Sequence, residues 1–357
     1  MEARIVQLGM CMGFSTVGIA DLALEREAEG FQAWIEAGHH GEMEYMARHG
    51  SKRWQPDELQ PGTQSVICVA LDYSPRHDAG SAPSPLAGEG WGEGAVASAQ
   101  TAAKNNQAYI SRYALGRDYH KVLRSKLQAF AEAIKHEIAP HEFRVFTDSA
   151  PVLEIPLAVK AGLGWRGKHT LLLSRERGSL FFLGEIYSSF KLAPPKPQSD
   201  HCGSCTACID VCPTQAITGP HRLDARKCIS YLTIELKTSI PIEFRKAIGN
   251  RIYGCDDCQL ICPWNKFARK ATVPDFEPRN GLDSATLVAL FAWTEADFNE
   301  QLQGSPIRRI GHERWLRNIA VALGNAQRST DVVAALQSRA EHPNAMVREH
   351  VRWALER

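Results

Sequence analysis

Eight cysteines lie in one short part of the chain with the spacing of iron–sulfur ligands. From Cys202 the sequence reads CGSCTACIDVCP, which is Cys-x2-Cys-x2-Cys-x3-Cys-Pro. A second group consists of Cys228 and the run CDDCQLICP at 255–263, so that its first cysteine is displaced upstream. Four cysteines and a Cys-Pro ending in each group are typical of a protein that binds two [4Fe–4S] clusters. Clusters of this kind transfer one electron at a time at low potential.

In such a run the fourth cysteine binds the other cluster, so the ligation crosses between the two groups. We therefore assign one cluster to Cys202, Cys205, Cys208 and Cys262, and the other to Cys212, Cys228, Cys255 and Cys258. Two structural zinc sites are the alternative, because zinc also takes four thiolates and Cys-x2-Cys is a usual zinc spacing. Zinc does not require the complete pattern with its Cys-Pro endings. The remaining Cys11 and Cys68 are predicted to be small packing residues.

The composition is that of a soluble globular protein with two or three domains. The chain has 357 residues, of which 44% are hydrophobic and 23% are charged, and its net charge is +1. Any nucleic-acid site must therefore be local. No apolar run is long enough to span a bilayer, and the N-terminus lacks the pattern of a signal peptide. Clustered cysteines in such a chain favour metal binding in a reducing compartment over disulfides. We therefore expect a cytoplasmic protein.

Residues 1–195, which precede the cysteine groups, show the alternating helix and strand pattern of an α/β domain. Short β-favouring runs occupy 66–73, 143–149, 170–174 and 179–187, and apolar residues recur at helical spacing over 23–38 and 118–138. Residues 74–108 interrupt this pattern because they are rich in Gly, Ala, Ser and Pro, and we predict a flexible surface insertion there. Gly88, Gly90 and Gly92 lack the following helix that a phosphate-binding loop needs.

Two further domains are predicted after the α/β domain. The Pro-rich stretch Leu192–Asp200 reads as a linker into a cysteine domain over 196–270. Residues 271–357 are predicted to be helical, with amphipathic helices over 313–326, 330–342 and 345–357. Their pattern is similar to the helix pairs of HEAT-type repeats, with enough chain for about two of them.

Motifs outside the cysteine groups resemble those of the epoxyqueuosine reductase family. They occur in family order at GHHGEMEYM (38–46), KRWQPDELQPG (52–62), ISRYALGRDYHKVL (110–123), TDSAPVLE (147–154), AGLGWRGKHTLLL (161–173), FLGEI (182–186), KCISYLTIE (227–235) and GCDDCQLICPWN (254–265). The insertion at 74–108 departs from the family, in which this connection is usually shorter. It lies between motifs, so the motifs themselves are complete.

The resemblance implies a fold of the α/β plus α class. Its parts are a nitroreductase-like cobalamin-binding domain, a ferredoxin-like domain with two clusters and a C-terminal HEAT-like helical domain that binds tRNA. The implied reaction is the reduction of epoxyqueuosine to queuosine at the wobble position of tRNA, the last step of queuosine biosynthesis. The implied cofactors are cobalamin and two [4Fe–4S] clusters. The resemblance also implies a low-potential electron donor of the flavodoxin or ferredoxin type and a monomeric enzyme.

Family site residues carry over onto matching positions. The family's proton donor falls on Asp148. If the carboxyl group of Asp148 is to act as an acid, burial would have to raise its pKa. A turn or cap bond at a strand end is the alternative role of this side chain. Cobalamin contacts fall on Arg53, Leu172, Leu183, Ile229, Asp256 and Asp257. For the leucines the alternative is core packing, and for the two aspartates it is a solvated turn.

The segment Asp118-Tyr119-His120 begins like the motif Asp-x-His-x-x-Gly, by which some proteins supply histidine to cobalt. Leu123 occupies the position where that motif has glycine, and the segment opens a predicted helix. We therefore do not expect His120 to bind cobalt, and we predict that Asp118 is the N-cap of the helix.

Two segments have the composition of an RNA contact. Residues 264–270 (WNKFARK) mix aromatic with cationic side chains, which suits stacking and phosphate contact. Residues 305–357 contain nine Arg, no Lys and five acidic residues, and arginine favours bidentate phosphate contact. Charged surfaces are, however, ordinary on helices.

Two other functions fit the cysteine pattern. A reductive dehalogenase-like enzyme also combines cobalamin with two clusters, but such enzymes usually carry an export signal and lack an Arg-rich tail. An electron carrier without a catalytic centre would bind no corrin. An RNA-binding test separates the first alternative from the family assignment, and a corrin-binding test separates the second.

Overall fold

The computed structural model describes residues 1–75 and 106–357. The predicted insertion, including Gly88, Gly90 and Gly92, therefore lies almost entirely outside the described residues. The described strands are β1 (Thr16–Ala20), β2 (Ser65–Asp72), β3 (Tyr109–Ile110), β4 (Phe143–Phe146), β5 (Trp165–Arg166), β6 (Leu172–Leu173), β7 (Phe181–Ser188), β8 (Ile217–Gly219), β9 (Arg222–Leu223) and β10 (Arg251–Tyr253).

The described helices are α1 (Glu2–Cys11), α2 (Glu25–Glu36), α3 (Glu44–Ala47), α4 (Pro56–Leu59), α5 (Tyr119–Glu137), α6 (Glu154–Lys160), α7 (Ala207–Asp210), α8 (Ile229–Ile234), α9 (Ile242–Ile248), α10 (Asp257–Leu260), α11 (Leu287–Phe291), α12 (Glu295–Gln301), α13 (Gly311–Asn325), α14 (Thr330–Gln337) and α15 (Ala345–Leu355). Short 3₁₀ segments occupy Gly50–Arg53, Arg112–Ala114, Ala225–Lys227, Pro263–Phe267, Pro274–Phe276 and Pro306–Ile310. No described helix is both long enough and apolar enough to cross a membrane.

A four-stranded antiparallel sheet of order β1-β2-β7-β4 forms the centre of the N-terminal half. All eight residues of β2 are buried, because both faces of the sheet are covered. One face packs against α1 and α5, and the other packs against α6. The buried Cys68 belongs to the α6 face, as the packing prediction requires. For Cys11 that prediction is wrong, because its side chain lies on the exposed face of α1.

Two element boundaries near the predicted proton donor follow from local backbone chemistry. The strand predicted over 143–149 ends at Phe146, because Asp148 adopts a left-handed conformation with φ of 46° that no strand can contain. The helix predicted over 118–138 is confirmed as α5. The Asp118 carboxylate caps it by accepting the backbone N–H of His120 at 3.2 Å.

The largest hydrophobic core joins segments that are far apart in sequence. It includes residues near 110, residues of α8 and β10, and the buried faces of α13 and α15. Strand β3 pairs in parallel with β10, and α13 packs on β10. Asn318 on α13 donates to the backbone oxygens of Thr233 and Ile252 at 2.8 and 2.9 Å. The C-terminal helices are therefore built into the body that holds the cysteines.

The helices predicted over 313–326, 330–342 and 345–357 correspond to α13, α14 and α15. Helix α14 ends at Gln337, five residues before the prediction, because the chain turns ahead of Pro343. Helix α15 begins after Asn344, whose side chain accepts two backbone N–H groups.

Candidate active site and cluster ligands

A cavity of about 380 Å³ lies between the central sheet and the cysteine segment. Its walls are mostly apolar and come from the end of β2, from β6 and β7, from the turn at 111–113 and from α8 and α10. All four cysteines of the second predicted set, Cys212, Cys228, Cys255 and Cys258, contribute to the lining. A redox cofactor in this cavity would therefore touch the edge of that cluster site.

Cysteines of the first predicted set act on one another's titration. Burial raises the pKa of the Cys208 thiol to about 11, and Cys202 and Cys205 add to this rise. The pKa of Cys262 is also raised to about 11 by burial, and Cys208, Cys202 and Cys205 add to it. Bound iron would replace these protons, and thiolates are the ligands that [4Fe–4S] clusters take.

In the second set, burial raises the pKa of Cys258 well above its ordinary value, and Cys228 and Cys212 are the thiols that act on it. The backbone N–H of Ala216 donates to the sulfur of Cys212 at 3.2 Å. Hydrogen bonds of this kind tune the potential of a cluster.

The two sets differ in their access to solvent. In the first set Cys205 is exposed and Cys202 is half-buried, whereas the second set adjoins the cavity. The ammonium group of Lys168 donates to the backbone oxygens of Gly203 and Cys205 at 2.7 and 2.9 Å, and so fastens the exposed loop. One cluster site therefore faces the surface and the other faces the cavity.

Five of the six predicted cobalamin contacts line the cavity. They are Leu172, Leu183, Ile229, Asp256 and Asp257. Arg53 is absent from the lining; its guanidinium donates to the backbone oxygens of Met46 and Tyr45 at 2.8 and 2.6 Å.

The two aspartates are not in a solvated turn. Asp256 is 1% exposed and accepts hydrogen bonds from the Tyr109 hydroxyl, the Ser111 hydroxyl and the Arg112 backbone N–H. The carboxylate of Asp257 pairs with the Arg251 guanidinium at 2.6 Å. These partners fix the backbone between two cluster cysteines.

Asp148 lies beside the cavity at the end of β4. Its carboxylate accepts a hydrogen bond from the Tyr119 hydroxyl, and Tyr119 itself lines the cavity. His120 Nε2 lies 2.8 Å from the same carboxylate oxygen, while His120 Nδ1 lies 2.8 Å from Asp118. About half of the Asp148 side chain, 51%, is accessible. Asp148 itself is not among the residues that line the cavity; its carboxylate is joined to the cavity wall through Tyr119.

The pKa of Asp148 shifts in the direction opposite to the rise that a proton donor would need. Burial alone would raise its pKa, but the hydrogen bonds from His120 and Tyr119 outweigh burial and lower the pKa of Asp148 below its ordinary value. For His120, burial alone would lower the pKa, but the bonds to Asp118 and Asp148 raise it. Both shifts favour an ion pair with a proton between the two groups.

Sequence reasoning missed three charged groups around Asp148. Glu154 on α6 accepts the Asp148 backbone N–H at 2.5 Å, and Glu185 lies fully buried on β7 behind it. Arg309 reaches in from the C-terminal segment and places Nη1 3.3 Å from His120 Nε2. The sequence signal for Glu185 was present, because a lone acid stands in the apolar run SLFFLGEIY. Arg309 gave no such signal, since it is 189 positions from His120.

Comparisons with known proteins give the family. The family model described as epoxyqueuosine reductase QueG matches residues 53–149, and a 4Fe-4S double cluster binding domain matches residues 201–265. Curated epoxyqueuosine reductases of Xanthomonas campestris and Pseudomonas aeruginosa are 55% and 53% identical; the matches cover 99% and 100% of this chain and 95% and 94% of the relatives. The relative from Escherichia coli is 50% identical over 99% of this chain and 89% of its own.

Solved structures have the same fold. A crystal structure of epoxyqueuosine reductase with an epoxyqueuosine-modified tRNA-Tyr stem loop has a TM-score of 0.85 at 27% identity, with 99% of this chain and 88% of that chain covered. An epoxyqueuosine reductase from Bacillus subtilis, whose aspartate-bearing catalytic loop is swung out of the active site, has a TM-score of 0.83 at 27% identity over 99% of this chain and 88% of its own. The chain belongs to the epoxyqueuosine reductase family.

Proposed function

We propose that this protein reduces epoxyqueuosine to queuosine in tRNA, with cobalamin in the cavity and electrons supplied through two [4Fe–4S] clusters. The observation that carries the proposal is the position of the cavity between Asp148 with its partner Tyr119 on one side and four cluster cysteines on the other. Conversion of an epoxide to an alkene takes up two electrons and two protons and releases water. The two sides of the cavity match these two needs.

The cavity residues fit a corrin. Leu172, Leu183 and Ile229 give apolar contact, and the backbone around Asp256 and Asp257 borders the cavity next to the second cluster site. Arg53 would act indirectly, through the backbone of residues 45 and 46. Bound cobalamin would supply the strongly reduced metal centre that loss of the epoxide oxygen requires.

The chain's own residues hold and deliver a proton. The pKa shifts of Asp148 and His120 favour a proton held between them, and about half of the Asp148 side chain, 51%, is accessible. The pair therefore brings a proton to the carboxyl group without the raised pKa that was expected of an isolated acid. A catalytic aspartate on a loop is also what the Bacillus subtilis relative is described as having.

The arrangement of the cluster sites gives a direction to electron flow. A low-potential donor of the flavodoxin or ferredoxin type would reduce the exposed first cluster, which passes single electrons to the second cluster at the cavity.

Two exposed arginines, Arg166 and Arg222, lie close to the loop of the first cluster site. Arg166 donates to the backbone oxygen of His221, and the backbone N–H of His221 donates to the backbone oxygen of Lys168. These cations suit an acidic donor. Arg166→Glu should slow reduction by flavodoxin and leave reduction by dithionite unchanged; equal rates with flavodoxin would reject this docking site.

The tRNA would approach over the C-terminal segment. Support comes from the relative solved with a modified stem loop and from Arg308 and Arg309, whose 3₁₀ segment lies beside His120.

The proposal includes three domains: a nitroreductase-like domain over 1–195, a ferredoxin-like domain over 196–270 and a HEAT-like domain over 271–357. A cytoplasmic location fits the tRNA substrate and the reduced thiols.

The proposal is tested by anaerobic turnover of tRNA that carries epoxyqueuosine, with added cobalamin and a strong reductant, read by mass spectrometry of the nucleosides. Cobalamin-dependent appearance of queuosine is the expected result. No conversion by protein that holds eight irons and a corrin would overturn the proposal and favour a reductase for small molecules.

A further inference from the structure

Two acids, the half-buried Glu154 and the fully buried Glu185, lie close to the Asp148 loop, and neither acid has a role in the proposed chemistry. Glu185 occupies the middle of β7, opposite Cys68 on β2 and Phe146 on β4. Its side chain is 0% exposed, and its neighbours belong to the apolar core between the sheet and α6. An ionised carboxylate in such a place costs several kcal/mol unless it is paired.

Among the residues that the structure describes, neither oxygen of Glu185 has a hydrogen-bond partner of its own. Burial, and then the charge of the nearby Glu154 in the first turn of α6, raises the pKa of Glu185 well above its ordinary value. Both causes favour a neutral carboxyl group at Glu185.

The other side of Glu154 reaches the candidate catalytic loop. Glu154 Oε1 accepts the backbone N–H of Asp148 at 2.5 Å. Asp148 needs such support because a non-glycine residue at φ of 46° is strained. Only this backbone conformation lets the carboxyl group of Asp148 turn toward Tyr119 and His120, while its N–H turns toward α6.

We propose that Glu154 is a positioning residue that fixes the left-handed turn at Asp148 and so directs the Asp148 carboxyl group toward Tyr119 at the cavity wall. The inference rests on the proposed function, since it assigns Asp148 the role of proton donor. What Glu154 contributes is geometry: loss of the acceptor frees the loop, and a misplaced donor lowers turnover without weakening cofactor binding.

The test compares two substitutions in the cluster- and corrin-loaded protein. Glu154→Ala removes the acceptor, so turnover of epoxyqueuosine tRNA should fall about 100-fold. Hydrogen exchange of the peptide that contains Asp148 should accelerate about tenfold, because one hydrogen bond is lost. Glu154→Gln keeps an acceptor oxygen and should retain turnover within about fivefold. Corrin affinity, read by absorbance titration, should be unchanged in both variants. Glu142→Ala, an exposed acid just before β4, is the matched control.

Three results would overturn the inference: wild-type turnover in Glu154→Ala, a loss in Glu154→Gln equal to that in Glu154→Ala, or an Asp148 amide that exchanges in the wild-type protein as fast as in an unfolded peptide. The last measurement decides the question if Glu154→Ala does not fold. Absence of turnover in the wild-type protein would instead count against the proposed function, and the exchange data would still test the contact.

Discussion

The imidazole Nε2 of His120 lies 2.8 Å from a carboxylate oxygen of Asp148. This contact raises the pKa of the imidazole and lowers that of the carboxyl group, in each case against the effect of burial. The Asp118 carboxylate lies 2.8 Å from the other ring nitrogen, Nδ1, and Arg309 Nη1 lies 3.3 Å from Nε2. A proton donor that is an ion pair at rest receives its proton from its neighbour, not from a raised pKa of its own.

Replacement of Asp148 tests the acid itself. Asp148→Ala should lower turnover about 10²–10⁴-fold, because a positioned general acid contributes a factor of this size. The absorbance and EPR spectra of the clusters and of bound corrin should remain those of the wild type. Ser149→Ala, at the adjacent and equally exposed position, is the control and should keep full turnover. Near-normal turnover in Asp148→Ala would remove this residue from the mechanism.

The pH dependence of turnover tests the pair. The raised pKa of His120 keeps the shared proton bound above the ordinary value of 6.5, so turnover should fall only as the pH rises through that higher value. His120→Gln should lower turnover and abolish this alkaline limb. His136→Gln changes an exposed histidine on the same helix and should leave the profile unchanged. An unaltered alkaline limb in His120→Gln would separate His120 from the proton supply.

The parts of the molecule that local sequence determines were predictable. The double-cluster domain at 201–265 follows from the short-range spacing of its cysteines, and the start of α5 follows from Asp118, because capping involves neighbours in sequence. The strand order and the proximity of Arg309 to His120 were not predictable, since they depend on residues far apart in sequence: β2 pairs with β7 across more than 100 positions, and Arg309 is 189 positions from His120. The lowered pKa of Asp148 was not predictable either, because its hydrogen-bond partners were unknown.

In the arginine-rich tail, too, the sequence did not show which side chains are buried by contacts with distant parts of the chain. All nine arginines were counted as candidates for phosphate contact, yet Arg317 is 0% exposed and donates to backbone oxygens of Leu232, Leu236 and Thr238. Arg339 likewise donates to the backbone oxygen of Trp293 at 2.9 Å. Composition cannot tell a structural guanidinium from an exposed one.

Arg308 is exposed in the segment beside His120, which makes it a test of tRNA contact. Arg308→Glu should weaken binding of an anticodon stem-loop and reduce the slope of log K against log salt by about 0.7–0.9 for one lost phosphate contact. Lys135→Glu is the charge-matched control, because Lys135 lies about 22 Å along α5 from His120 at 1.5 Å per residue. Equal affinity and slope for Arg308→Glu and wild type would exclude this contact. A point substitution is preferable to deletion of the tail. The deletion would remove α13, whose buried residues belong to the largest hydrophobic core.

The raised pKa of Glu154 should appear in the pH dependence of stability. Burial, and then the charge of Asp148, raises the pKa of Glu154 from 4.5 to about 8 in the native protein. Between these two values the unfolded chain has lost a proton that the native protein keeps, so the free energy of unfolding should decrease as the pH rises from about 4.5 to about 8. Glu154→Gln has no such proton, and its free energy of unfolding should decrease less over this range than that of the wild type.

Anaerobic denaturant unfolding of the cluster-loaded protein at pH 5, 6.5 and 8 measures this difference as a shift in the midpoint concentration. The gap between Glu154→Gln and wild type should move in favour of the variant as the pH rises, because only the wild type must ionise a buried acid. Glu300→Gln, at an exposed position on α12, should parallel the wild type throughout. A gap that stays constant with pH would mean that Glu154 is already ionised in the native protein.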